Sequence, residues 1–265
     1  MSAMSAVSAA RGRLILVPNA LDLGAEPQPL AAVLPHDVLV QAARLGHWLV
    51  EDAKSARAFL KRVHEVVPLA QPLQSLHIVE LPRPVKGRPV PASVGSAART
   101  HAEDWLAPAH AGHDIGLLSE AGLPAVADPG AAVVAAAHAA GLTVVPLCGP
   151  SSLMLALAAS GLDGQSFAFV GYLPQEATAR GQRIRELEGA SKRLRQAQIF
   201  IETPYRNAAL LAALLECAAP ATRLSVSLGL TLPEGWCRTA TIGEWRAQPP
   251  SSMSGKLPAV FLLQA

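Results

Sequence analysis

Short apolar runs recur along the first half of this chain, each closed by turn residues and followed by an Ala/Leu-rich stretch with helical spacing. That alternation predicts βαβ units and a mostly parallel sheet. The runs Leu14 to Val17, Trp48 to Glu51, Leu76 to Glu80, Ile115 to Leu118 and Val144 to Leu147 read as strands. Helices are expected between them, over Val38 to Leu45, Ala53 to His64, Ser96 to Ala107 and Ala131 to Ala140.

After Gly149 the rhythm changes. A helix from Ser151 to Ser160, a strand from Phe167 to Val170, a charged helix within Ala177 to Arg195 and a strand from Gln198 to Ile201 come first. A helix from Tyr205 to Cys217 follows, and strands then dominate at Leu224 to Leu228, Trp236 to Thr241 and Ala259 to Leu263. The expected organisation is a frayed tail over residues 1–13, an N-terminal α/β domain over 14–149 and a C-terminal, more antiparallel α/β domain over 150–265. The proline-rich segment Leu81 to Pro91 cannot continue a helix or a central strand and reads as a surface loop.

Composition narrows the class. Hydrophobic residues make up 51% and charged residues 16%, a balance that fits a packed globular protein. The longest uncharged stretch near a membrane-like profile, Ala131 to Leu147, is interrupted by His138, Gly141 and Pro146, so no transmembrane helix is expected. The opening MSAMSAVSAARGR has no apolar segment of secretory type. Three cysteines without CxxC spacing argue against a disulfide framework and against a zinc site, and a reducing cytosol is the expected compartment. No close pair of metal-ligating histidines occurs, so no metal is expected. A net charge of +2 allows an anionic partner without requiring one.

Candidate chemistry lies at strand ends. In GLLSEAGLPAVADPGAAVV, Gly116 to Val134, a strand runs into a loop of small residues, after which Asp128 is expected to cap a helix whose first position suits Pro129. Ligands sit at such carboxyl ends in open α/β sheets. A second junction follows where the strand ending at Leu147 turns through Gly149-Pro150 into a helix capped by Ser151 or Ser152. The two loops, on neighbouring strand ends, are expected to wall one crevice. A third strand delivers Glu202 and Thr203 to a helix start at Pro204, Tyr205 and Arg206. Each junction taken alone also fits ordinary turn chemistry.

Their order and wording resemble one family. SEAGLPAVADPG, PLCGPSSLMLALAASGL, FAFVGYLP and ETPYRN are similar to the motifs of the tetrapyrrole-methylase superfamily, and most similar to its branch acting on small-subunit ribosomal RNA. VEDAKSARAFL, Val50 to Leu60, is similar to another segment of that branch, with Lys54 where its basic residue is usually arginine. The resemblance implies two α/β domains with S-adenosylmethionine held in the cleft between them and no GxGxG loop. It implies that Glu120, Ala121, Gly122, Val126, Ala127 and Asp128 line the methionine side of the cofactor. Ser151 and Ser152 would approach from the domain junction, and Glu202, Thr203, Leu230, Thr231 and Pro258 would frame the adenine side. Two features depart from the branch: the first strand opens into VPNALDLG, with Asp22 near an expected glycine, and no helical extension follows Ala265.

The resemblance further implies a cytosolic homodimer that methylates a ribose hydroxyl of 16S ribosomal RNA. Methylation of a corrinoid or porphyrin precursor, and cofactor binding without catalysis, remain the alternative readings. A ribose hydroxyl needs a base within hydrogen-bond reach. Glu51, Asp52, His36 and Asp128 are candidates, and none is singled out as catalytic. For RNA contact the sequence offers Arg180, Arg183, Arg185, Lys192, Arg193 and Arg195 in the charged helix, and Arg83, Lys86 and Arg88 in the proline-rich loop.

Overall fold

The computed structural model describes residues 10–22, 28–82, 96–128, 130–250, 253 and 257–265, with the backbone alone for 96–102. Residues 1–9 of the tail expected over 1–13, and most of the proline-rich loop, including Arg83, Lys86 and Arg88, lie outside the described residues; Gly12 and Arg13, expected in that tail, are instead tied to the first unit by hydrogen bonds to the Ala109 carbonyl and the Asp114 carboxylate. Contacts divide the chain into two compact units, Met1–Pro150 and Ser151–Ala265.

The first unit is built on five parallel strands, β1 (Leu14–Val17), β2 (His47–Val50), β3 (His77–Glu80), β4 (Ile115–Leu118) and β5 (Val144–Pro146), in the order β3-β2-β4-β1-β5. Alternation along the strands divides two cores, as a sheet covered on both faces requires. Ile15, Val17, Trp48 and Val50 pack beneath α1 (His36–Arg44) and α2 (Ala53–Val66). On the other face Leu14, Leu49, Ile115 and Leu117 pack beneath α3 (Ser96–His110) and α4 (Ala131–Ala139). Trp48 and Phe59 are fully buried, and each such side chain stabilises the fold by about 1.5–3 kcal/mol relative to exposure.

The second unit carries β6 (Phe167–Tyr172), β7 (Ala197–Glu202), β8 (Arg223–Leu228), β9 (Trp236–Thr241) and β10 (Ala259–Gln264) in the order β6-β7-β10-β8-β9. Only β6 and β7 pair in parallel; β10 is antiparallel to both β7 and β8, and β9 is antiparallel to β8. Along β10, Val260 and Leu262 meet α5 (Ser152–Ser160), whereas Phe261 and Leu263 face α6 (Ala177–Leu194), α7 (Asn207–Cys217) and α8 (Ile242–Ala247). Phe200 and Phe261 stack there at 5.9 Å.

The sheets and helices match the expected two-part α/β architecture in element order. Differences occur at helix starts. Tyr205 lies in a 3-10 turn, Pro204–Arg206, and α7 begins at Asn207 because the proline opens a tighter turn first. The six-residue α8 was not foreseen, although Thr241 and Glu244 close it with a capping box. Among the described residues no helix is long and apolar enough to cross a membrane.

Candidate functional site

In the first unit, the loops leaving β1, β4 and β5 meet at the carboxyl end of the sheet. The strands β4 and β5 are not neighbours as expected, because β1 lies between them. The loops nevertheless converge over β1. Asn19, just beyond β1, and Gly122, beyond β4, exchange backbone hydrogen bonds of 2.9 and 3.2 Å. A side chain at Gly122, whose φ is +68°, would press on Leu21 at 3.2 Å and on the Pro150 carbonyl at 3.3 Å. Beyond β5, Gly149 lies so close to Pro18 that a Cβ there would stand 2.2 Å from the proline ring.

Asn19 is the organising residue that sequence reasoning missed. It is buried, its Nδ2 donates to the carbonyls of Ser119 (3.3 Å) and Glu120 (3.0 Å), and its Oδ1 accepts from the Ala20 amide (2.8 Å). Its position after an apolar strand was the available signal, since a side-chain amide is both donor and acceptor and can stand in for a turn of backbone.

The loop after β4 carries the residues expected on the methionine side. Ala121 is half-buried and Gly122 buried, while Val126 is 42% exposed and Glu120 and Ala127 are exposed. Ala125 and Ala127 hold left-handed backbone, with φ of 65° and 67°. That conformation costs an L-residue about 1–2 kcal/mol, the kind of strain that gathers at functional loops. Asp128 does not cap α4 as expected. The N-cap is Gly130, at φ 131° and without a side-chain hydrogen bond, because the left-handed backbone at Ala127 carries Asp128 away before the helix begins; Pro129 lies outside the described residues.

Asp128 is instead half-buried among carboxylates. Burial pushes its carboxyl up to about 7, and Glu51 and Glu120 push the same way, against a smaller opposing pull from the Ser119 hydroxyl. The buried Ser119 Oγ has no hydrogen bond of normal geometry. Of the other candidate bases, Glu51 accepts the Glu120 amide at 3.2 Å, Asp52 caps α2 by accepting from the Ser55 amide at 2.8 Å, and His36 stands exposed at the start of α1.

In the second unit, one end of the sheet gathers a second set. Ala259 of β10 pairs with Glu202 of β7 on one side and with Leu228 of β8 on the other, so the chain ends around Glu202, Pro258 and Gly229 are adjacent. The Gly229 amide donates to the Pro258 carbonyl at 2.9 Å. Leu230 follows against the α5 core, and Thr231 takes φ 71°, a rare backbone for a β-branched residue. The Glu202 carboxylate is buried and already occupied: it accepts from the Thr203 amide at 2.6 Å and from the Arg206 guanidinium, whose Nε lies at 3.0 Å. Arg206 is therefore not the free, solvated side chain that plain turn chemistry suggests. Ser151 and Ser152 are half-buried at the start of α5, and Ser151 is the N-cap by position but makes no capping side-chain bond.

The charged helix α6 buries Ile184 and Leu187 and keeps Arg180 and Arg183 half-buried. Arg183 is paired with Glu186, and Arg180 donates to the Gln175 carbonyl. Arg185, Lys192, Arg193 and Arg195 are exposed.

A model of the family described as Tetrapyrrole (Corrin/Porphyrin) Methylases matches residues 51–244. The chain is 38% identical over 137 residues to the ribosomal RNA small subunit methyltransferase I of Mesorhizobium japonicum, covering 52% of this chain and 45% of that protein. It is 41% identical over 120 residues to the protein of the same name from Xylella fastidiosa, covering 43% of this chain and 42% of that one. The matched segments thus span less than half the length of these relatives. Among solved structures, the methyltransferase CobJ matches with TM-score 0.55 and 17% identity, over 95% of this chain and 93% of that chain. A conserved hypothetical protein from Aeropyrum pernix K1 matches with TM-score 0.55 and 18% identity, over 96% and 85%. At those identities the two structures speak for the fold alone.

Proposed function

This chain belongs to the tetrapyrrole (corrin/porphyrin) methylases, and from that membership we propose that it transfers the methyl group of S-adenosylmethionine to a ribose hydroxyl of small-subunit ribosomal RNA. The observation that carries this reading is the identity of 38% and 41% to two proteins named for that RNA.

Glu120, Ala121, Gly122, Val126, Ala127 and Asp128 would hold the methionine portion, Ser151 and Ser152 would contribute beside it, and Thr203, Leu230, Thr231 and Pro258 would hold the nucleoside, with the Glu202 carboxylate fixing Thr203 and Arg206 beside them. Two features support the fit: a glycine where backbone must come close, and left-handed backbone at Ala127 and Thr231. Small, side-chain-poor turns leave backbone amides and carbonyls open to a polar ligand, and Glu120 brings acidic charge suited to an ammonium group.

When bound, S-adenosylmethionine supplies an already activated methyl group. The protein's task is then alignment and exclusion of water, which makes positioning the main source of rate. The acceptor hydroxyl must also lose its proton. Asp128 is our choice for that role, since a carboxyl titrating near neutrality is matched to general-base work at physiological pH. The exposed cations of α6 suit a phosphate backbone. A homodimer in the cytoplasm, where ribosomal RNA is found, completes the proposal.

The test is transfer of labelled methyl groups from S-adenosylmethionine to 30S subunits lacking the modification, run beside tetrapyrrole and corrinoid precursors. Label on a ribose of 16S RNA is the expected result. Label on a precursor alone would assign a small-molecule methylase, and label on neither, with the cofactor still bound, would assign a non-catalytic binder.

A further inference from the structure

Opposite the carboxyl-end loops, the amino end of the first sheet gathers three imidazoles that the proposed reaction does not use. His47 opens β2 and pairs in register with His77, which opens β3. His113 lies two residues before β4. The His47 ring stands 5.6 Å from His77, edge-on, and 5.2 Å from His113, tilted. Among the described residues no group of three His, Cys, Asp or Glu side chains is arranged to hold a metal ion. Burial, then His113, then His77 hold the His47 imidazole below the usual histidine range. Its Nδ1 is buried with no hydrogen-bond partner, a vacancy that native structures rarely leave unexplained.

Two cavities adjoin this cluster, and both are lined by His47 and His113. One, of about 600 Å³, is walled mainly by carbon: Leu49, Val79, Trp105 and Pro108, with His77 and Asp104 at its polar margin. The other, of about 650 Å³, is lined by Arg11, Gln41, Arg44 and Gln71, and by Arg13, which is neutralised by Asp114 at 2.7 Å. Each volume falls in the range of small-molecule sites. A flat-walled aromatic chamber beside a guanidinium and amide chamber matches a ligand with a planar heterocycle at one end and an anion at the other.

We propose that the amino end of the first sheet binds a nucleoside phosphate, its base among Trp105 and the imidazoles and its phosphate on Arg11 and Arg44. The base would stack on the ring faces that line this cavity. Both a free nucleotide and a nucleotide within an RNA strand present this chemistry. The site is separate from the cofactor loops, so it stands or falls independently of the methyl-transfer reading.

The experiment is calorimetric titration of the full chain with the four nucleoside 5′-monophosphates, the matching nucleosides, inorganic phosphate and short single-stranded RNA. Monophosphates are expected to bind more tightly than nucleoside or phosphate alone. Arg44→Glu is expected to weaken monophosphate about tenfold while sparing nucleoside, and His113→Ala to weaken both. Both residues are exposed, so circular dichroism should report an unchanged fold. Tighter binding of oligonucleotide than of monophosphate assigns an RNA strand; equal affinity assigns a free nucleotide. No binding at millimolar monophosphate, binding indifferent to both substitutions, or binding displaced by S-adenosylmethionine would overturn the proposal.

Discussion

Asn19 and Gly122 are joined by a reciprocal pair of backbone hydrogen bonds, 2.9 and 3.2 Å long, that ties the loop leaving β1 to the loop leaving β4. The Asn19 side chain adds three more bonds around the same point. The loops leaving β1 and β4 are therefore one hydrogen-bonded assembly, against which the loop leaving β5 packs through Gly149.

Asn19→Ala should loosen that assembly. It leaves the carbonyls of Ser119 and Glu120 and the Ala20 amide without their side-chain partner, at about 1–3 kcal/mol in total stability. Urea unfolding should show the loss, and titration with S-adenosylmethionine should show affinity reduced about tenfold. Unchanged affinity in a destabilised protein would separate the scaffold from the site.

Gly149→Ala forces a methyl to within 2.2 Å of Pro18, and both partners are held by backbone. Overpacking of this kind costs about 1–3 kcal/mol. At Gly164 a Cβ meets nothing within 4 Å, so Gly164→Ala should be neutral within about 0.5 kcal/mol. Thermal melts of the two variants check the contrast.

Asp128 makes stability depend on pH in a definite direction. Its folded carboxyl titrates at about 7, above the ordinary 3.8, so between those values the folded chain holds more protons than the unfolded one. Stability contributed by this group is present at low pH and falls as pH rises through that window. Asp128→Asn removes the penalty and should stabilise the protein above pH 7 by about 1–2 kcal/mol, the gain being limited by solvent reaching the half-buried carboxyl, and by almost nothing below pH 4. The same variant should abolish methyl transfer. A destabilised variant at pH 8 would contradict the placement of Asp128 among like charges.

Much of this was legible beforehand, for reasons that differ by element. Strands such as Ile115–Leu118 are bounded by polar turn residues, and their apolar runs admit few other readings. The helices α1 and α2 on one face follow from their amphipathic period, whereas α4 on the other is apolar nearly all round and is legible only as a long Ala/Val run after a turn. The cap at α4 was misread because Ala127 and Gly130 adopt backbone that no local rule assigns to alanine in an ADPG run. Asn19 is not legible because its partners lie about 100 residues away, and the Glu202–Arg206 pair forms only through the 3-10 turn between them. Of the candidate cofactor residues, the sequence supplied names; the register around Ala259 supplied the adjacency of Glu202, Leu228 and Pro258.

RNA contact through α6 predicts a salt signature. Replacing Lys192 and Arg193 by glutamate should lower affinity for 30S RNA and flatten the dependence on salt, with log K against log salt shallower by about 1–2. Folding should be unaffected, since both side chains are exposed on the last turn of the helix. An unchanged slope would move the RNA surface elsewhere.

Cofactor binding depends on the turn at Gly122. Calorimetric titration of S-adenosylmethionine into the wild-type chain and into Gly122→Val tests it most directly. Saturable one-to-one binding that weakens at least tenfold in the variant, with Gly164→Ala as an unaffected control, is the predicted result. Absence of binding to the wild type, or equal binding to both proteins, would contradict it.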